Sequence, residues 1–132
     1  LMFLDIDAFK TINDTMGHAS GDSVLTEYAE RLRASVRSTD TVARLAGDEF
    51  IVVLENLHAR EAAAAVAQKI LERVRAPAFR IDGQLLRVTT SIGVVFRDGS
   101  NASFTAEELL ARADSALYAA KSAGRNRFEF SV

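Results

Sequence analysis

The sequence predicts an α+β fold, a ferredoxin-like βαββαβ sandwich with an extra C-terminal helix–strand unit. Two observations support this prediction. Apolar runs of strand length alternate with segments whose apolar residues recur every three to four positions, the spacing of a helix that packs one face on a sheet. No linker rich in glycine, proline or serine divides the 132 residues. We therefore expect residues 1–132 to form one domain, because 48% hydrophobic residues are enough to build a core.

The first half of the chain predicts a strand, a helix and a hairpin. Residues 1–6 are almost wholly apolar, as in a buried central strand. Residues 21–37 carry apolar side chains at helical spacing. Two apolar runs, 41–45 and 50–54, flank a tight turn that contains glycine, so we expect them to pair as a hairpin.

The second half predicts two helices around a long strand. Residues 61–74 repeat the helical spacing and end before the chain's single proline, which cannot continue a helix. Residues 85–96 read as one strand, in which Gly93 indicates a close backbone approach. The last helix begins with a capping box at Thr105 and ends at Gly124, and a short strand follows it.

Composition narrows the class of protein. The chain has no cysteine, which excludes disulfides and thiolate metal sites and suits a reducing cytoplasm. No apolar run in these residues reaches transmembrane length, and they show no basic–apolar–small pattern of a signal peptide. The formal net charge of -2 argues against a nucleic acid polymer as partner, whereas a mononucleotide needs only a few local cations. We expect a cytoplasmic domain, whose parent protein could be anchored in a membrane outside this segment.

Acidic side chains cluster where two predicted strands meet. Asp5 and Asp7 stand at the end of the first strand, where a carboxylate among apolar residues needs a partner. Asp48 and Glu49 form the tip of the hairpin. Such carboxylates at one edge of a sheet are typical of a magnesium site. Alternatively, the hairpin pair is a solvated turn and the first-strand aspartates are hydrogen-bonded structural residues. Further polar residues would complete a magnesium–nucleotide site: Lys10, Asn13 and Asp22.

Three motifs carry a resemblance to a known family. The first runs from Asp5 to Asp22, the second from Gly47 to Phe50, and the third from Asp114 to Asn126. In this order and spacing they resemble the GGDEF domain of diguanylate cyclases, which join two GTP molecules into cyclic di-GMP. Ala46 stands where the family has its first signature glycine. If that position requires a positive φ, the alanine costs about 1 kcal/mol. Because the chain starts inside its first strand, the resemblance also implies a fragment that lacks the domain's N-terminal helix.

The resemblance implies the palm fold of nucleotidyl cyclases and a metal-dependent reaction. Mg²⁺ or Mn²⁺ would be held by Asp5, the backbone carbonyl of Ile6 and Asp48. The 3′-hydroxyl of one GTP would attack the α-phosphate of the other, with Asp48 or Glu49 as general base. Which of these two residues acts stays open.

The resemblance also assigns the parts of GTP to residues. Guanine falls to Asn13 and Asp22, because a carboxylate accepts from the N1–H and amino group that adenine cannot present. The phosphates fall to the backbone amide of Phe9 and the side chains of Lys10, Lys121 and Arg125. Because Lys121 and Arg125 are four residues apart at a helix end, they can point the same way. Alternatively, Asn13 belongs to a turn, Asp22 is a first-turn helix charge, and the basic residues complement a helix dipole.

Arg37 and Asp40 match the family's RxxD site, at which the product cyclic di-GMP inhibits the enzyme. Arginine suits a phosphodiester, and aspartate suits the donors of guanine. Alternatively, Arg37 ends a helix and Asp40 belongs to the turn after it. The resemblance implies further partners: a transient homodimer in which two bound GTP molecules meet, an attached sensor domain and an attached EAL domain.

Two functions stay open from the sequence. The first is a diguanylate cyclase with product feedback. The second is a weak or inactive GTP-binding regulatory domain that precedes an EAL phosphodiesterase. The complete set of acidic and basic residues favours the first, whereas Ala46 and a C-terminal half that resembles GGDEF domains in such tandems favour the second. We expect His18 to be structural, because no second histidine or cysteine lies at ligand spacing.

Overall fold

The computed structural model describes residues 1–97 and 104–132 of the chain. These residues form a five-stranded sheet in the order β2-β3-β1-β6-β7, with a separate two-stranded hairpin of β4 and β5 and helices on both faces. The predicted α+β fold class is confirmed. The elements are β1 (Met2–Ile6), α1 (Phe9–Met16), α2 (His18–Ser35), β2 (Thr41–Ala46), β3 (Glu49–Val53), α3 (Arg60–Arg75), β4 (Phe79–Ile81), β5 (Gln84–Leu86), β6 (Thr90–Val94), α4 (Ala106–Ser122) and β7 (Phe128–Phe130).

The central strand β1 separates two layers of core. It pairs antiparallel with β3 and β6, and β7 extends the sheet parallel to β6. Because side chains alternate along a strand, Met2, Leu4 and Ile6 join the core that α2 and α3 cover, whereas Phe3 packs beneath α4. Asp5 lies on the same side of β1 as Phe3. The alternation therefore directs the Asp5 carboxylate toward α4.

Helix α4 packs directly on β6, and its ends follow the sequence signals. A β-carbon at Gly93 would lie 2.1 Å from the carbonyl oxygen of Ala113, which confirms the predicted close approach. At the N-terminus, the hydroxyl of Thr105 accepts a hydrogen bond of 3.1 Å from the backbone N–H of Glu108. After the C-terminus, Gly124 has φ +123°, a conformation that L side chains rarely adopt.

The prediction of one long strand over residues 85–96 is wrong. Gln84–Leu86 pairs with β4 in the separate hairpin, and Thr90–Val94 joins the main sheet. Asp82 and Gly83 have φ 51° and 77°, so they form the left-handed two-residue turn that a tight hairpin requires. The apolar pattern continues across this change of sheet, and a pattern of period two does not reveal which partner strand a residue pairs with.

Two further helical segments differ from the prediction. Residues Phe9–Met16 form α1, which the sequence pattern did not predict, because Ile12 is the one buried residue in this polar segment. Helix α2 begins at His18, three residues before the predicted start. Among the described residues, no helix has the length and apolar character of a membrane span.

Candidate functional site

The acidic residues meet at the edge of the sheet where β1 ends and β3 begins. Strand pairing places Glu49 directly opposite Asp5, so the two side chains share one face of the sheet. Asp48 precedes Glu49 in the turn, and its charge acts on Asp5. The structure therefore brings together the carboxylates that the sequence predicted to meet.

Asp5 is a buried carboxylate whose hydrogen bonding is incomplete. Its Oδ2 forms an ion pair with the ammonium of Lys121 on α4. Its Oδ1 is buried and has no hydrogen-bond partner among the described residues. Burial raises the pKa of Asp5 to about 6; Lys121 opposes this shift, and the charges of Asp48 and Asp7 add to it. A cation beside Oδ1 would satisfy the oxygen and stabilise the charged carboxylate.

The donor chemistry of this edge fits a hard divalent cation such as Mg²⁺, for which carboxylate and carbonyl oxygens are the preferred ligands. Over residues 1–97 and 104–132, no three histidine, cysteine, aspartate or glutamate side chains are grouped closely enough to hold a metal by themselves. Mg²⁺ usually takes one or two carboxylates together with substrate phosphates, rather than a complete cage of protein ligands. The edge therefore fits one half of a site that a bound triphosphate would complete.

The hairpin tip is shaped by Gly47 rather than by Ala46. Gly47 has φ 54°, and its carbonyl accepts a hydrogen bond of 2.7 Å from Nε of Arg44. Ala46 ends β2 with an exposed side chain and does not have a positive φ. The backbone strain that a positive φ would have imposed on the alanine therefore does not arise.

Helix α1 starts immediately after β1, so its N-terminus lies at the acidic edge. Ala8, with φ 58°, precedes the helix and provides no side-chain cap. The first-turn amides, which include those of Phe9 and Lys10, have no acceptor within the helix. Together with the helix dipole, such amides favour an anion. Phe9 and Lys10, the two residues of α1 predicted to bind phosphate, therefore lie in the first turn of the helix that follows the acidic end of β1.

Helices α1 and α2 bring the two guanine candidates close together. Asn13 lies within α1 rather than in a turn, and it packs against Gly21 on α2 so tightly that a β-carbon at Gly21 would lie 1.7 Å from Asn13 Oδ1. Asp22 follows Gly21 and lines a cleft of about 460 Å³ with Arg44 and Phe50, between α2 and the hairpin. The first motif includes Gly21, but the sequence assigned it no role; the absence of a side chain there lets Asn13 pack against α2.

The two phosphate candidates near the end of α4 occupy different surroundings. Lys121 lies in the last turn and pairs with Asp5. Arg125 lies beyond the helix, which ends at Ser122, and it is exposed with φ 63°. That the two side chains point the same way stays a prediction, and the helical spacing of four does not support it, because α4 ends at Ser122, before Arg125.

Arg37 and Asp40 lie at the other end of α2, and the six residues of β2 separate them from the hairpin tip by about 20 Å. Asp40 is 3% exposed and accepts the backbone N–H groups of Arg37 at 2.9 Å and Glu55 at 3.2 Å. Burial alone would raise the pKa of Asp40, but these amides and the Arg37 guanidinium outweigh burial and lower the pKa. The Arg37 side chain is the exposed half of this pair.

A buried hydroxyl chain supports the acidic edge, and sequence reasoning missed it. The hydroxyl of Tyr28 on α2 lies 2.7 Å from the hydroxyl of Thr90. The Thr90 hydroxyl in turn donates a hydrogen bond of 2.5 Å to the backbone carbonyl of Asp5. Because a hydroxyl has one proton, Tyr28 is the donor to Thr90. In the sequence, Tyr28 belongs to the apolar face of a helix, so nothing there indicated that its hydroxyl forms a buried hydrogen bond.

Comparison with known proteins identifies relatives of the chain. Residues 1–127 match the family model described as the GGDEF domain of diguanylate cyclases. Diguanylate cyclase A of Treponema denticola is 46% identical over 134 aligned residues, which cover 99% of this chain and 34% of that protein. The bifunctional diguanylate cyclase/cyclic di-GMP phosphodiesterase MucR of Pseudomonas aeruginosa is 44% identical over 132 residues, which cover 98% of this chain and 18% of that protein.

A solved structure agrees with these relatives. The GGDEF domain of YfiN (also called TpbB) from Pseudomonas aeruginosa has a TM-score of 0.91 and 38% sequence identity, over 99% of this chain and 80% of that one. The chain spans well under half the length of the two curated relatives. A family match over nearly all its residues shows that the chain belongs to the GGDEF family of diguanylate cyclase domains.

Proposed function

We propose that the chain is the catalytic domain of a diguanylate cyclase, which condenses two GTP molecules into cyclic di-GMP and pyrophosphate. The observation that carries this proposal is the buried Oδ1 of Asp5, which lacks a partner among the described residues at the edge where the hairpin carboxylates and the α1 N-terminus converge. A buried, partly unsatisfied carboxylate is unfavourable for folding alone, so its presence favours a ligand-binding role.

We propose that Asp5, the backbone carbonyl of Ile6 and Asp48 hold Mg²⁺ or Mn²⁺. When bound, such a cation neutralises charge on the phosphates and lowers the pKa of the attacking hydroxyl. Asp48 or Glu49 takes the proton from that 3′-hydroxyl, and both residues lie on the acidic edge. The Lys121 ammonium, which pairs with Oδ2 of Asp5, would bind the phosphates beside that carboxylate, and Oδ1 would remain for the cation.

The remaining residues bind and orient GTP. Asn13, at the contact of α1 with α2, and Asp22, in the cleft between α2 and the hairpin, hydrogen-bond the guanine edge. The phosphates are bound by the Phe9 amide and by the side chains of Lys10, Lys121 and Arg125. Each domain carries one such set, so the reaction requires two domains in a two-fold dimer, with the 3′-hydroxyl of each GTP facing the α-phosphate of the other.

Regulation and partners are part of the same proposal. Arg37 and Asp40 would bind the product cyclic di-GMP and inhibit turnover, with the exposed Arg37 as the main contact. A sensor domain attached in the parent protein would control formation of the transient dimer. The reaction would take place in the cytoplasm, where GTP is available.

A second function is favoured by one relative. The cyclic di-GMP phosphodiesterase NbdA of Pseudomonas aeruginosa, 42% identical over 132 residues, is named for phosphodiesterase activity alone, so a domain of this family occurs in a protein that is not named as a cyclase. In that setting the present domain would bind GTP with little or no turnover and would regulate a neighbouring EAL domain. The two proposals agree on GTP binding and differ on turnover.

The test is chromatography for cyclic di-GMP after incubation of GTP and Mg²⁺ with the domain fused to a constitutive dimeriser. GTP affinity is measured in parallel by calorimetry. Asp48→Ala is compared with Glu61→Ala, which removes an exposed carboxylate on α3 away from the acidic edge. We expect product from the unchanged domain and from Glu61→Ala, and none from Asp48→Ala.

Other outcomes separate the two functions. GTP binding without product from the unchanged domain would refute the cyclase and support the regulatory module. Absence of GTP binding would refute both. Equal product from Asp48→Ala and the unchanged domain would show that the acidic hairpin is not part of the catalytic site.

A further inference from the structure

Asp7 is a buried carboxylate that the proposed reaction does not use. It lies one residue beyond β1 and is 9% exposed. Its Oδ1 accepts from the Ser91 hydroxyl at 2.6 Å, and its Oδ2 accepts from the Thr89 hydroxyl at 2.7 Å and the backbone N–H of Asn126 at 3.0 Å. All three partners donate, so both carboxylate oxygens of Asp7 are occupied as hydrogen-bond acceptors.

The contact with Asn126 holds an unusual turn. Helix α4 ends at Ser122, and the chain then passes through Gly124, Arg125 and Asn126 with φ 123°, 63° and 51°. Two successive residues with β-carbons in the left-handed region are unfavourable unless the surroundings hold them. One restraint is the hydrogen bond of 3.0 Å from the Arg125 N–H to the Ala120 carbonyl. The bond from Asn126 to Asp7 is the restraint on the other side of Arg125.

The two aspartates at the end of β1 therefore reach two basic residues of the α4 region in different ways. Asp5 contacts Lys121 directly. Asp7 contacts the backbone immediately after Arg125 and ties the turn to the start of β6 through Thr89 and Ser91. We infer that Asp7 is a positioning residue that sets Arg125 toward the triphosphate of GTP. The inference rests on the proposed function, because it requires that Arg125 binds the triphosphate.

A positioning role predicts an effect that depends on the number of phosphates. If Asp7 acts through Arg125, its loss weakens binding of GTP, which has a triphosphate, much more than binding of GMP, which presents the same guanine and ribose. A general loss of packing would weaken both nucleotides together. The ratio of GTP affinity to GMP affinity is therefore the quantity that separates the two roles.

The first test uses Asp7→Asn, Arg125→Ala and the double variant, with nucleotide affinities measured by calorimetry. The amide of asparagine cannot accept at both former oxygens, so the restraint on Asn126 is weakened without a change of size. We expect Asp7→Asn to lower the GTP-to-GMP affinity ratio roughly tenfold, as does Arg125→Ala. The double variant should be no weaker than Arg125→Ala, because Asp7 acts through that residue.

A matched control and a second variant keep the test decisive. Thr89→Val removes another donor to the same Oδ2 but leaves the turn contact, so we expect a change in the ratio of less than about twofold. If thermal melting shows that Asp7→Asn is unfolded, an amide-to-ester replacement at Asn126 removes the N–H donor and leaves Asp7 in place. The chain has no cysteine, so this variant can be made by ligation at Ala123 followed by desulfurisation.

The ester at Asn126 is compared with an ester at Ser131, whose N–H donates to the Val94 carbonyl at 2.8 Å away from the turn. A lowered ratio for the Asn126 ester alone supports the inference. An unchanged GTP-to-GMP affinity ratio, which includes equal losses for the two nucleotides, overturns the inference but leaves GTP binding by the unchanged domain intact. If the unchanged domain does not bind GTP, the proposed function fails and the role of Asp7 fails with it.

Discussion

Asp5 and Asp40 are carboxylates of similar burial in two regions of the molecule, yet their surroundings are opposite. Asp40 accepts two backbone amides and faces a guanidinium. Asp5 has one ammonium partner, and its Oδ1 lacks any among the described residues. The pKa of Asp5 is raised to about 6 by burial, whereas hydrogen bonds outweigh burial at Asp40 and lower its pKa. The number of donors, rather than burial, therefore distinguishes a structural carboxylate from one poised for a ligand.

The same difference separates the two proposed ligand sites. At the acidic edge, a cation would add a partner that Asp5 lacks. At Arg37 and Asp40, a ligand would compete with hydrogen bonds that the Asp40 carboxylate already makes. We therefore expect nucleotide turnover to depend on Asp5 itself, and product inhibition to depend mainly on the exposed Arg37.

The largest effect expected is from Asp5→Asn. It should lower cyclic di-GMP formation by at least about 100-fold, because a neutral amide is a poor ligand for a hard cation. Its stability should be unchanged or higher at pH 7.5, since the raised pKa of Asp5 means that folding disfavours the charged carboxylate. Product chromatography and urea unfolding measure the two effects. A destabilised variant that keeps full activity would show that Asp5 is a structural carboxylate like Asp40.

Asp40→Asn should show the reverse pattern. We expect a loss of about 1–3 kcal/mol in unfolding free energy at pH 7, because backbone donors lose a charged acceptor, with little change in turnover. Since the folded-state pKa of Asp40 is lowered, its contribution is present above the unfolded-state pKa and disappears as the pH falls through the folded-state value. Urea unfolding curves of the two proteins should therefore converge in acid. A pH-independent difference would contradict this account.

Arg37→Ala should act mainly on inhibition, with a smaller loss of stability because the guanidinium also pairs with Asp40. We expect the cyclic di-GMP concentration for half-maximal inhibition to rise roughly tenfold, because an arginine–phosphodiester contact is lost. Arg33→Ala is the matched control, since Arg33 also reaches Asp40, at its carbonyl, with a hydrogen bond of 3.0 Å. Initial rates with added product measure both. If the two variants respond equally, Arg37 is not the product contact.

The smallest effect is expected from Ala46→Gly, which restores the family's signature glycine. Because Ala46 is exposed and lacks a positive φ, the glycine relieves no strain. Turnover should change by less than about twofold, and stability should fall by about 0.5–1 kcal/mol through added backbone entropy. Initial rates at saturating GTP measure the change in turnover, and urea unfolding measures the change in stability. A gain of an order of magnitude would show that the methyl group obstructs the nucleotide.

Local patterns predicted much of the fold and of the candidate site. The Thr105 cap, the hairpin turn and the close approach at Gly93 each follow from residues near in sequence, and the structure contains all three. The division of residues 85–96 between two sheets was missed: Asp82 and Gly83 indicated a hairpin turn, but the shared apolar character of both strands did not show where the hairpin ends. Likewise, the position of Arg125 depends on where α4 ends, and a spacing of four residues does not contain that information.

The sequence by itself determined the fold class, the family and the residue types at the acidic edge, because these follow from periodicity, turn residues and motif spacing. The tertiary structure decided which aspartates are satisfied. Asp5, Asp7 and Asp40 are the same residue type, and their hydrogen-bond partners come mainly from other elements: Lys121 for Asp5, Thr89, Ser91 and Asn126 for Asp7, and Arg37 and Glu55 for Asp40. Burial and hydrogen bonding set the protonation state of a carboxylate, and most of those partners meet it through chain folding rather than through sequence proximity.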